Sequence, residues 1–153
     1  MPTTVDAPAV GSTMPDIQVQ GADGTDVALL SLIAGRRAVV FFMRASTCPV
    51  CQAHAAEAAR LLREGKLGSA ALVVVTPGAA AEVATVARRV PGDDLVIVGS
   101  GSGHAEVGLG RFLGLQHSGT FVLDERGAVL AARTATIPTG AFNAAEVVAA
   151  LAG

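Results

Sequence analysis

Three short apolar runs divide the chain, and each is followed by a segment of different character. RRAVVFFM at 36–43, AALVVVT at 70–76 and LVIV at 95–98 are dense in β-branched or aromatic residues. Runs of that length and composition predict strands buried on both faces. Between them, PVCQAHAAEAARLLREGKLG at 49–68 is rich in Ala and Leu, opens on proline and closes near glycine. GAAAEVATVARRV at 78–90 ends at Pro91-Gly92. Both segments predict helices with their usual punctuation. Strands joined by helical crossovers must run parallel in one sheet, which confines the chain to an α/β architecture.

The flanks extend that plan. DIQVQGADGTDVALL at 16–30 predicts a hairpin around Gly-Ala-Asp-Gly. HAEVGLGRFLG at 104–114 predicts a shorter helix, weakened by its internal glycines. TFVLDERGAVLAART at 120–134 predicts a second hairpin turning at Glu125-Arg126-Gly127, and NAAEVVAAL at 143–151 a closing helix capped by Asn143. Residues 1–15 hold three prolines and little periodicity, so they are expected to form a flexible N-terminal arm before a single domain at 16–153. The expected fold is a layered α/β sandwich around a mixed sheet, with an antiparallel strand added by the closing hairpin.

Several functions are disfavoured at this point. The net charge is −2 and Trp and Tyr are absent, so no basic, aromatic-lined face for nucleic acid is implied. No apolar stretch reaches the roughly 18 residues of a membrane span. The first residues carry neither a basic start nor an apolar run, which predicts a cytoplasmic protein. In that compartment a close cysteine pair points to redox chemistry or metal binding rather than to a permanent staple.

The pair lies in RASTCPVCQAH at 44–54, at the carboxyl end of the first central strand, where open α/β sheets place their chemistry. Cys48 precedes a proline suited to the first helical position, so its sulfur falls at the helix cap. There, free backbone N–H groups and the positive end of the dipole favour a thiolate. Cys51 follows one turn later, within reach of a disulfide. Cys48 is expected to be the exposed attacker and Cys51 the resolver. Arg44 adds to the thiolate's stability if it turns toward the site. His54 shares the apolar stripe of Val50, Cys51, Ala58 and Leu61. A partly buried histidine with a satisfied hydrogen bond is favoured there over a carrier of the Cys51 proton. No metal or other cofactor is expected, because a structural zinc site commonly takes four Cys or His ligands and the remaining histidines, His104 and His117, lie on distant elements. The Gly-rich VGSGSGHAEVGLG at 98–110 lacks the third glycine of a dinucleotide fingerprint and reads as a strand-to-helix loop.

These residues resemble the thioredoxin-like superfamily, and within it the redoxin, or alkyl hydroperoxide reductase/thiol-specific antioxidant, group. The leading hairpin, AVVFFMRASTCPVCQAH and SGTFVLDERGAVLAA carry the resemblance, which covers nearly the whole chain. It implies a thioredoxin-like three-layer sandwich with an N-terminal hairpin extension, and catalytic Cys48 and Cys51. Arg44, Thr47, Pro49, His54 and the Ser118-Gly119-Thr120 stretch are expected to support them. The chain departs from the family at several positions. Ser118-Gly119-Thr120 holds neither the cis-proline of thioredoxin-type members nor the arginine that peroxiredoxins often carry at Ser118. Cys48 replaces the threonine of the peroxiredoxin signature when Cys51 is aligned to the peroxidatic position, and Arg44 then takes the place of its proline; with Cys48 in that role instead, Ala45 replaces the threonine and Phe41 the proline. The buried acid of thioredoxin falls on Phe42.

The pair's placement at the helix cap, with the peroxiredoxin signature incomplete, ranks dithiol–disulfide oxidoreductase first, acting on a protein or small-molecule disulfide with a recycling thiol reductant. A thiol peroxidase reducing hydroperoxides comes second, and a non-catalytic redox-sensing or metal-binding module third. Redoxins often self-associate, so a homodimer is compatible with the resemblance, although no interface stripe is legible.

Overall fold

The computed structural model describes residues 7–33, 35–90, 92, 94–112 and 115–153. Its strands are β1 (Gln18–Gln20), β2 (Asp26–Ala28), β3 (Ala38–Phe42), β4 (Ala71–Thr76), β5 (Val96–Gly99), β6 (Arg111–Phe112), β7 (Leu115–Gln116), β8 (Ser118–Leu123) and β9 (Val129–Ala135). Its helices are α1 (Pro49–Arg63), α2 (Ala80–Arg89) and α3 (Ala144–Ala152). Seven strands form one mixed sheet in the order β2-β1-β5-β4-β3-β8-β9, while β6 and β7 make a separate ribbon. The crossovers α1 and α2 leave β3, β4 and β5 parallel. The closing hairpin adds β8 antiparallel to β3, and β1 pairs antiparallel with β5 at the other side.

The pleat sorts the core into two layers. Val39, Phe41 and Met43 point to one face and pack with Leu72, Val74 and Val122 against Ala55, Ala58 and Leu61 of α1, Val86 of α2 and Val147 of α3. Ala38, Val40 and Phe42 point to the other, joining Phe121 and Leu123 beneath Met14, Ile17, Leu29, Ile33, Val107 and Leu109. Every residue of β3 is buried, so this strand is the common floor of both layers. The second covering layer is thin, made of the leading segment and the 3₁₀ turns Leu29–Leu32 and Gly103–Val107 rather than of α-helices.

Two expectations need correction. The segment 104–114 is not a short helix. A 3₁₀ turn ends at Gly108, whose φ of 79° a side chain would resist, and Leu109 then drops fully into the core. Residues 1–6 of the expected arm lie outside the described residues, and the described part is docked. Gly11 N donates to Val129 O, Met14 N donates to Gly127 O and Thr13 bridges Ala128, because Met14 buries its side chain in the second layer. The hairpin between β8 and β9 turns as expected, with the Asp124 carboxylate accepting from Arg126 N and Ala128 N.

Candidate active site

The site is assembled where β3 ends. Met43 and Arg44 carry the chain off the sheet, and a short loop delivers Cys48 to the start of α1. The loop is braced by the Gln52 side-chain amide, which donates to Ser46 O at 2.8 Å. Cys48 is the helix cap: its sulfur accepts from Cys51 N at 3.4 Å, and Pro49 occupies the first turn, where a missing N–H leaves no bond unmade. The Cys51 sulfur, one turn in, accepts from Arg44 N at 3.3 Å. The two free thiols thus hang from the same strand-to-helix corner.

Their environments differ. Burial pushes the Cys48 thiol up, but hydrogen bonds from Cys51, through its thiol and its backbone N–H, together with the Arg44 guanidinium and its charge, bring it below the ordinary thiol value. Burial pushes Cys51 up to about 12, reinforced by its hydrogen bond to Cys48 and by the charge there. The two sulfurs are therefore shifted in opposite directions, Cys48 toward the thiolate and Cys51 toward the thiol. Cys48 is not the exposed attacker expected from its place in the sequence. It is 3 % exposed and Cys51 0 %, because the capping sulfur folds back over the first turn into the layer that holds Met43, Ala141 and Phe142.

The remaining candidates fall around this corner. Arg44 is half-buried, and its Nε finds no protein partner. Thr47 and Pro49 are exposed. The Gly119 backbone lies beside Phe42, and Ser118 and Thr120 alternate onto the face of Val122, the face that carries the cysteines. Ser118 is wholly buried with its hydroxyl unpartnered, whereas the Thr120 hydroxyl donates to Ala141 O at 2.6 Å. Gly119 permits a close approach of β9, since a Cβ there would stand 2.6 Å from Arg133 O. His54 Nε2 lies 3.1 Å from Pro138 O, which can only accept, so this nitrogen carries a proton and is committed to the turn before α3. Its ring packs between Phe41 and Phe142.

Two contributors were missed from sequence. The turn Pro138–Gly140 packs on α1 and leads into Phe142, yet nothing in TATIPTGAF signals contact with a helix some 85 residues earlier. His104, set aside as distant, lies 2.8 Å through Nε2 from Met43 O, beside the cysteine corner. In its loop, Gly101 and Gly78 exchange backbone hydrogen bonds at 2.9 and 2.7 Å. Among the described residues, no cluster of three or more His, Cys, Asp or Glu side chains is arranged to hold a metal ion, and no helix is long and apolar enough to cross a membrane.

Comparison with known proteins places this corner in context. The redoxin family model matches residues 9–151. No match is found among curated proteins. Among solved structures, the chain is similar to reduced Prx3 from Vibrio vulnificus in complex with H2O2, at 21 % identity and a TM-score of 0.76, covering 94 % of this chain and 98 % of that one. A peroxiredoxin-like protein from Aquifex aeolicus gives 15 % identity and a TM-score of 0.81, with 97 % and 89 % covered. The peroxidoxin BcpB from Mycobacterium tuberculosis gives 24 % identity and a TM-score of 0.76, with 95 % and 97 % covered. These likenesses show the shared thioredoxin-like fold.

Proposed function

Because the chain belongs to the redoxin family, we propose that it is a dithiol thiol peroxidase that reduces hydroperoxides through Cys48 and Cys51. This reverses the order expected from the sequence. The observation that carries it is the contrast between the two sulfurs: a nearly enclosed Cys48 whose pKa is lowered, backed by a protonated Cys51. A small hydroperoxide suits such an enclosed nucleophile, whereas a protein disulfide needs the surrounding segments to open.

The Cys48 thiolate attacks one peroxide oxygen. An S–O bond forms, the O–O bond breaks, and the departing alkoxide or hydroxide takes a proton from solvent. The Arg44 guanidinium, which already hydrogen-bonds the Cys48 sulfur, is the proposed donor to the peroxide oxygens. The Cys51 sulfur then attacks the Cys48 sulfenic acid, and the disulfide forms as water leaves with the Cys51 proton. An external thiol reductant returns the pair to two thiols.

The second reading, dithiol–disulfide exchange, is favoured by the Cys-x-x-Cys pair at the helix cap, since the same Cys48 thiolate is equipped to attack a disulfide sulfur. Hydroperoxide consumption measured beside insulin-disulfide reduction separates the two. Peroxide turnover that is lost in Cys48→Ser, with a Cys48 sulfenic acid trapped by dimedone in Cys51→Ser, is the expected result. Disulfide reduction with no peroxide turnover would instead establish the second reading.

A further inference from the structure

Met43 and Arg44 share one peptide group, and both of its ends are engaged. Its N–H donates to the Cys51 sulfur at 3.3 Å, and its C=O lies 2.8 Å from His104 Nε2. A carbonyl can only accept, so His104 Nε2 carries the proton. In the neutral ring Nδ1 is then the acceptor, and the Ser100 hydroxyl 2.7 Å away donates to it. The ring is 1 % exposed and stands edge-on to Phe42, which faces the layer opposite the cysteines. Burial lowers its pKa to about 4, so it is neutral at pH 7. An unbroken chain of hydrogen bonds therefore runs from Ser100 through His104 and one peptide group to the resolving sulfur. Donation to a peptide carbonyl makes the N–H of the same peptide a stronger donor.

We propose that His104 is a positioning residue for Cys51: from the far side of the sheet it orients and polarises the Met43–Arg44 peptide, so that the Arg44 N–H stabilises the negative charge that develops on the Cys51 sulfur. That charge arises when Cys51 loses its proton to attack a sulfur at Cys48, and again when a reductant attacks Cys48 and Cys51 departs. The inference rests on the dithiol reading of the pair and deepens it, and it holds whether the oxidant is a hydroperoxide or a disulfide.

A test that needs no peroxide uses 5,5′-dithiobis(2-nitrobenzoate) on the reduced protein. The Cys48 thiolate forms a mixed disulfide and releases one aryl thiolate. Cys51 then bonds to the Cys48 sulfur, the Cys48–aryl disulfide bond breaks, a second aryl thiolate leaves and the Cys51 proton passes to solvent. His104→Leu is expected to slow the second release about five-fold while leaving the first within about two-fold, the scale of one hydrogen bond. His104→Gln, whose amide can still donate to Met43 O, is expected to restore most of the second rate. The Arg44 amide proton is expected to move upfield in His104→Leu and to return toward its wild-type shift in His104→Gln. Equal slowing of both releases, equal slowing in both variants, or an unmoved Arg44 amide would overturn the assignment. Should His104→Leu fail to fold, the histidine ¹⁵N shifts of the wild-type protein decide. A ring protonated on Nε2 supports the relay, and one protonated on Nδ1 sinks it. Loss of peroxide turnover alone bears on the proposed function and leaves this result standing.

Discussion

At the scale of the residue, two sulfurs three positions apart have been given opposite acid strengths. The lowered pKa of Cys48 predicts that it alkylates first at neutral pH. Arg44→Gln removes a nearby positive charge and is expected to slow that alkylation about three- to ten-fold, measured with iodoacetamide by peptide mapping against pH. Folding stability carries the signature of the groups behind the site. His104 has a folded pKa of about 4 against an ordinary 6.5, so between those values the unfolded chain binds more protons. Stability is present above pH 6.5 and is lost as pH falls toward 4. The loss is of order 3 kcal/mol, and His104→Gln, which does not titrate, should lack it in denaturant unfolding from pH 7 to 4. Cys51 works in the opposite direction. Its folded pKa of about 12 lies above the ordinary 9.0, so its contribution is intact below pH 9 and disappears as pH rises toward 12.

At the scale of the element, α1 was the most legible part of the chain. Pro49 at its first turn, the run of alanines and leucines and the glycine after it all point to one helix, which runs from Pro49 to Arg63. The central strands were equally plain, because burial on both faces leaves no polar residue inside AVVFF or ALVVV. The glycine-rich 104–114 was not legible. Its helical pattern of apolar residues describes how Val107 and Leu109 reach the core, and it holds equally for a 3₁₀ turn interrupted at Gly108. The capping role of Cys48 makes a separable prediction. Cys48→Ser retains an acceptor for Cys51 N and should keep its stability while losing activity. Cys48→Ala should cost about 0.5–1 kcal/mol in denaturant unfolding. At the β8–β9 pair, Gly119→Ala forces a methyl to within 2.6 Å of Arg133 O and should destabilise by about 1–3 kcal/mol, measured the same way.

At the scale of the whole molecule, the sheet separates two apolar layers that share one floor. Phe41 and Phe42 are adjacent in sequence, both wholly buried, and belong to different layers. Replacing either by Ala should cost about 3–5 kcal/mol, and both variants should still unfold in one transition by circular dichroism and by calorimetry. Two separate transitions would show that the layers are independent. That the two cysteines share one strand-to-helix corner was legible in sequence, because they are neighbours in the chain. The distant groups packed against that corner were not: His104 reaches Met43 from 61 positions away and Pro138 reaches His54 from 84, and no local pattern encodes such meetings.

In the proposed reaction, the sulfur that anchors the start of α1 is also the atom that oxidation consumes. Once bonded to oxygen or to Cys51, it loses its thiolate charge and becomes a weaker acceptor for the Cys51 amide, so the opening turn of the helix is expected to loosen. On that reading, the protein's electron count is written in its own backbone. Deuterium should enter at the Cys51 amide sooner in the oxidised form, giving a reductase a loosened feature by which to tell spent copies from ready ones.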